Sequence, residues 1–175
     1  MSSLRLCLAF ARASLPSLRA ATTPSPADDD LALVEQTIRD SIGWAATKDR
    51  PLLDSLWARD QDLFLYHPDS RSTVRGWEEF TRNTALFMDP RFEATRFDVR
   101  DLRIHRSRAG DVAWFHAMLD DCWRWDGGEE DCWRDTRWTG VLERRDGRWV
   151  IVQMHFSFAE DAVRAEAARS TEGDG

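Results

Sequence analysis

The chain has 175 residues, 42% of them hydrophobic, with nine Trp, nine Phe and a single Tyr, which is enough apolar material for one domain around one core. A formal charge of −7 opposes a phosphate backbone and argues against a nucleic-acid partner. No apolar run nears the ~18 residues a membrane helix needs, so no membrane partner is expected. The three cysteines form neither a disulfide framework nor a zinc quartet.

Residues 1–27 differ from the rest. They hold Arg5, Arg12 and Arg19 and five Ser, with no acid before Asp28. That is the composition of an organelle transit peptide, and equally of an unstructured tail. Thr23-Pro24-Ser25-Pro26 reads as a linker. The folded domain is expected over 28–160, with a weak helix and a disordered tail over 161–175. The expected location is the cytoplasm, or an organelle matrix if the leading segment is a transit peptide.

Asp28, Asp29 and Asp30 suit a helix N-terminus, where carboxylates meet the positive end of the dipole. Leu31, Val34, Ile38 and Ile42 then recur near helical spacing up to about Lys48. Pro51 suits the first turn of a second helix, ending near Ala58, with Leu52, Leu53, Leu56 and Trp57 as its buried stripe. Asp62 to His67 alternates as a short strand stopped by Pro68. A third helix runs from Gly76 to Phe87, with Trp77, Phe80 and Leu86 or Phe87 inward. Arg91 to Ile104 alternates as a strand.

A three-stranded meander follows over 111–125, 131–143 and 149–158, joined by turns at Asp126-Gly127-Gly128 and Asp146-Gly147. Ala159 to Arg169 reads as a weak, Ala-rich helix. Helices followed by a block of strands define an α+β domain, with the helices on one face of a curved sheet.

This order, together with Val74-Arg75-Gly76-Trp77-Glu78-Glu79-Phe80, the Arg137, Thr139 and Val141 series, and Asp146-Gly147-Arg148-Trp149 leading to Ile151, His155 and Ser157, resembles the SnoaL-like family of the nuclear transport factor 2-like superfamily. The match spans about residues 30–158. The resemblance implies a cone: a curved antiparallel or mixed sheet on three N-terminal helices, with a pocket between them and commonly a homodimer through the outer sheet face. Ketosteroid isomerases of that superfamily carry a base in the slot that resembles His67-Pro68 here. Their second acid falls near Thr139 and their helix-borne tyrosine near Ser41, so the chain departs at all three positions.

A turn centred on Gly127-Gly128 pairs even residues of 112–124 with odd residues of 131–143. Simple pairing across Asp146-Gly147 joins those odd residues to even residues of 150–158. One face then carries Trp114, His116, Met118, Asp120, Asp135, Arg137, Thr139, Val141, Val152, Met154 and Phe156. The other carries Phe115, Ala117, Leu119, Trp138, Leu142, Ile151, Gln153, His155 and Ser157. The resemblance puts position 139 in the pocket and so selects the first face.

On that face His116 and Asp120 form an acid–base pair. Asp135 lies beside them, and Arg137 is placed to hold an enolate or carboxylate. The alternative is an ion-pair network that only orders the sheet. His67 is the candidate base at the mouth. Trp57, Trp77, Trp114, Thr139 and Phe156 are candidate ligand-lining residues, or plain core. Cys122 and Cys132 face opposite ways in this register, so no disulfide is expected. His116 and Asp120 stand too far apart along a strand to share a metal, and no metal or cofactor is expected.

The leading reading is a cofactor-free small-molecule-binding domain. It would be an isomerase, dehydratase or cyclase using acid–base chemistry on an apolar carbonyl compound. The rival is a non-catalytic dimerisation or association module, or a ligand carrier.

Overall fold

The computed structural model describes residues 26–69 and 73–163. All but the last two residues of the leading segment 1–27, and most of the expected C-terminal helix and tail, lie outside the described residues. Helix α1 spans Pro26–Thr47 and α2 spans Arg50–Leu56. Strands β1 (Phe64–Tyr66) and β2 (Val74–Arg75) precede α3 (Gly76–Thr84), which tightens into a 3-10 turn over Ala85–Met88. The long strands are β3 (Phe92–Arg106), β4 (Val112–Trp125), β5 (Glu130–Arg145) and β6 (Arg148–Ser157). They build one curved mixed sheet in the order β2-β1-β6-β5-β4-β3, with β1 parallel to β6. This is the α+β cone the sequence implied, with the short strand β2 added.

Local chemistry accounts for the helix ends. Asp49 caps α2 by accepting the Leu52 N–H at 2.9 Å, and proline opens the first turn where no N–H is needed. The Glu79 side chain reaches back to accept the Arg75 N–H at 2.7 Å at the start of α3. The acids before Leu31 are not the cap that was expected, because α1 already begins at Pro26. Asp30 instead turns onto the sheet, where it accepts the Trp149 indole N–H at 3.0 Å. It also pairs with Arg106 at 2.7 Å and Arg144 at 3.3 Å. The start of α1 is thereby pinned to the ends of β3, β5 and β6.

The core lies between α1, α2, α3 and the concave face of the sheet. Ala113, Phe115, Ala117 and Leu119 of β4 meet Trp138 and Leu142 of β5 and Ile151, Met154 and Phe156 of β6 there. Trp138 is fully buried, edge-on to Phe115 at 4.9 Å and stacked on Phe156 at 6.0 Å. Gly140 makes room for this packing. A Cβ there would fall 2.5 Å from a Phe115 ring carbon and 2.9 Å from the Gln153 carbonyl oxygen.

The concave face is therefore the one the pairing argument had set aside. Trp114, His116, Arg137 and Thr139 sit on the outer face, opposite the helices. The expected pairing does hold from Val112 opposite Glu143 to Leu119 opposite Thr136. Nearer the turn, however, Cys122 stands opposite Cys132, and an extra β5 residue at Asp135, with φ 50°, absorbs the difference. A second bulge follows Ile151, so that Gln153, His155 and Ser157 share the outer face with Thr139, while Met154 and Phe156 turn inward. Bulges also interrupt β3 after Ala94 and after Arg100. Each adds local twist, which bends flat strands into a cone.

The register also corrects the cysteines. Cys122 and Cys132 are direct cross-strand partners on the outer face and form a disulfide, with Cα atoms 4.1 Å apart. A one-residue offset at the hairpin end is enough to turn both the same way.

Candidate functional site

A cavity of about 470 Å³ opens between the helices and the wide end of the sheet. Its helical wall is Ser41, Ile42, Trp44 and Ala45 of α1, with Phe80, Asn83 and Thr84 of α3 and Phe87 just beyond. Its sheet wall is Phe92, Ala94, Asp121, Trp123, Trp133, Met154 and Phe156, and Trp57, Leu65 and His67 complete it. The lining is overwhelmingly aromatic and aliphatic, with a few polar groups set into it. That is the usual make-up of a small-molecule site.

Two of the polar groups are titratable. Asp121 follows Leu119 on the concave face of β4, and burial pushes its carboxyl up to about 7, with the Cys122 N–H partly offsetting the rise. His67 leaves the end of β1 with its imidazole 5.2 Å from the Phe156 ring and 5.9 Å from the Trp133 ring, and burial holds it below its ordinary 6.5. Both shifts have one physical origin. Desolvation penalises the charged form, which raises an acid and lowers a base. Near neutral pH the cavity lining therefore includes a neutral imidazole and a partly protonated carboxylic acid.

A third polar group is the indole of Trp57. It is buried, it lines the cavity, and its Nε1–H has no hydrogen-bond partner among the described residues. A buried donor left unmet costs about 1–3 kcal/mol, and since this N–H is closed off from the open space of the cavity, a ligand acceptor would recover the loss only if the indole turns toward it.

The sequence-derived candidates divide cleanly. His67, Trp57 and Phe156 line the cavity. Trp77 stacks on Phe80 at 5.4 Å and under the Arg59 guanidinium, one layer outside it. Trp114 is 44% exposed and stacks on His105, which in turn stacks on His116 at 6.0 Å, all on the convex surface. Arg137 and Thr139 lie on that surface too.

The expected cluster of His116, Asp120, Asp135 and Arg137 does not assemble. Asp120 and Asp135 do meet: Asp120 accepts the Asp135 backbone N–H at 2.8 Å, and Arg100 donates to the two carboxylates at 2.9 and 2.8 Å. Burial pushes Asp120 up, but the Asp135 N–H and Arg100 outweigh it and hold the carboxyl low. This network fastens the β5 bulge to β3.

Asp121, Trp123 and Trp133 were missed. The signal lay in the odd series of β4: Ala113, Phe115, Ala117 and Leu119 continue to Asp121 and Trp123. An acid closing an otherwise apolar series is the anomaly that marks the site.

The three helices on a curved six-stranded mixed sheet define an α+β cone, the fold of the nuclear transport factor 2-like superfamily. The SnoaL-like domain model matches residues 34–161, and the chain belongs to that family. Solved structures agree. A candidate dehydratase of the NTF2-like family from Streptomyces avermitilis is 20% identical over 76% of this chain and 98% of its own, with a TM-score of 0.60. A candidate scytalone dehydratase from Novosphingobium aromaticivorans is 9% identical over 73% of this chain and 83% of its own, with a TM-score of 0.62. The association domain of C. elegans CaMKII is 21% identical over 74% of this chain and 94% of its own, with a TM-score of 0.52. At these identities the likeness is one of fold. No curated protein matches the chain.

Proposed function

We propose that the cavity binds a mostly apolar carbonyl compound and moves protons on it without a cofactor, as an isomerase, dehydratase or cyclase does. The carrying observation is that burial shifts His67 and Asp121 in opposite directions within one apolar cavity. Groups shifted this way can act as base and acid at the same neutral pH.

In the dehydration form of the reaction, the neutral His67 imidazole takes a proton from the carbon next to the carbonyl. The Trp57 N–H, its indole turned toward the ligand, hydrogen-bonds the carbonyl oxygen as negative charge develops on it. The Asp121 carboxylic acid gives its proton to the departing β-hydroxyl, which leaves as water. In the isomerisation form no bond to oxygen breaks, and the proton is returned to a different carbon. Two of the solved relatives carry dehydratase descriptions, which favours the first form.

Thermal-shift screening of the full chain against cyclic and aromatic carbonyl compounds tests the reading. A ligand at about 100 times its Kd adds roughly 2.7 kcal/mol to stability. Asp121→Asn and His67→Gln should keep the shift and abolish turnover. Full turnover in both variants would overturn the assignment.

The outer face supports self-association as well. Trp114 and Tyr66 are exposed there, and one relative of the same fold is an association domain. We read a homodimer through this face. Sedimentation of wild type against Trp114→Glu tests it, and a monomeric wild type would reject it.

A further inference from the structure

We propose that the Cys122–Cys132 disulfide is a reversible thiol–disulfide site that sets the shape of the cavity wall. The coupling to the cavity rests on the pocket reading above, whereas the chemistry at sulfur does not.

The two sulfurs stand in different surroundings. Cys122 is fully buried, while Cys132 is only half-buried. The Arg96 guanidinium lies 3.8 Å from the Cys132 sulfur. A cation at that distance favours a thiolate there. Glu130, 3.6 Å from the same sulfur, pairs with Arg96 at 2.8 Å and accepts the Thr95 hydroxyl at 2.7 Å, so it offsets part of that cation's charge. Cys132 is therefore the sulfur open to attack, with a cation in place for the thiolate that reduction releases.

The step balances with a dithiol as the reductant. Its thiolate attacks Cys132 Sγ, the Cys122–Cys132 bond breaks, and Cys122 leaves as a thiolate that takes up a proton. The reductant's second thiol then attacks the mixed disulfide and releases the Cys132 thiolate beside Arg96. The reductant leaves as a disulfide, and two electrons have passed to the protein.

Chain geometry links this site to the cavity. Cys122 is flanked by Asp121 and Trp123, and Cys132 by Trp133, all three of which line it. Asp121 and Trp133 are themselves cross-strand partners, and the Cys122 N–H bonds the Asp121 carboxylate. Trp123 and Trp133 meet edge-on at 5.7 Å. Releasing the cross-link loosens the hairpin end that holds the acid and both indoles.

The test uses the full chain carrying Cys7→Ser, so that only this pair titrates. Aerobically purified protein, denatured, should show no free thiol, and should show both after treatment with dithiothreitol. The probe 1-anilinonaphthalene-8-sulfonate should change affinity by at least about fivefold on reduction, the lower end of usual couplings, and recover on reoxidation. Cys122→Ser with Cys132→Ser should behave as the reduced protein, and Arg96→Gln should slow the reduction.

Free thiols in the aerobic protein, or the same probe affinity in both redox states, would overturn the proposal. If the probe binds neither state, the pocket reading fails instead. The switch is then judged on tryptophan emission against a Trp133→Phe control. A redox-dependent shift that the control lacks supports it, and an unchanged spectrum overturns it.

Discussion

Asp121 stands directly across the β4–β5 ladder from Trp133, whose ring lies 5.9 Å from the imidazole of His67. Trp133 thus neighbours one titratable group of the cavity along the ladder and the other through its ring, and all three line the same cavity. The acid belongs to the long meander and the base to a short edge strand paired in parallel with β6. Only closure of the cone brings them to one cavity.

Asp121 should leave a signature in the pH dependence of stability. Its folded value of about 7 lies above the ordinary 3.8, so the native state holds the proton more tightly than the unfolded chain. That contribution is fully present below pH ~4 and is lost as the pH rises toward ~7, for a total of about 4 kcal/mol at ~1.4 kcal/mol per unit. His67 acts in the opposite sense. Its depressed value contributes stability above 6.5 that is lost as the pH falls below 6.5. Denaturant unfolding of Asp121→Asn should show the fall between pH 4 and 7 removed. An identical slope in wild type and variant would show that the carboxyl is not buried as described.

Trp57→Phe separates binding from folding. The variant removes a buried N–H that has no partner, so the stability lost should be small for a core tryptophan, within about 1 kcal/mol. Affinity for a carbonyl ligand should fall about tenfold, equivalent to one hydrogen bond of ~1.4 kcal/mol. Calorimetric titration reads the affinity. Unaltered affinity would remove Trp57 from the oxyanion role.

Gly140→Ala should destabilise the fold by about 2 kcal/mol, because the new methyl meets the Phe115 ring and the Gln153 carbonyl oxygen, neither of which can retreat freely. Urea unfolding measures the loss. A neutral result would mean that β4 and β5 have more slack than the close contact of their strands implies.

Asp30→Ala should cost about 3 kcal/mol. It removes the carboxylate that Arg106, Arg144 and the Trp149 N–H share at a buried position. Hydrogen exchange should speed up in the first turns of α1 and leave the β4–β5 ladder protected. Uniform acceleration across the sheet would instead show Asp30 acting through global stability.

Much of the fold was legible in order and spacing. Pro51 marked the start of α2, and the alternation from Phe92 onward marked β3. Asp146-Gly147 marked the last hairpin, where both residues take positive φ. His67, Trp57 and Phe156 lie in the cavity lining, Phe156 through a bulge the sequence did not announce. His155 was expected to point outward, and it does, only because the reversed face and the same bulge cancel.

The amino-acid sequence by itself determined the element order, the family and the turn positions, because capping, φ preference and hydrophobic period act over a few neighbouring residues. It could not determine which face of the meander is concave, because alternation has two faces and local chemistry does not rank them. Tertiary structure decided that. The helices cover the face bearing Phe115, Leu119 and Trp138, and single extra residues at Asp135 and Val152 re-aim the strand ends. A bulge changes the register by one residue at little local cost, yet it turns every side chain beyond it to the other side. That one-residue step aligned the two cysteines and brought Trp133 and Phe156 to the same cavity as Asp121 and His67.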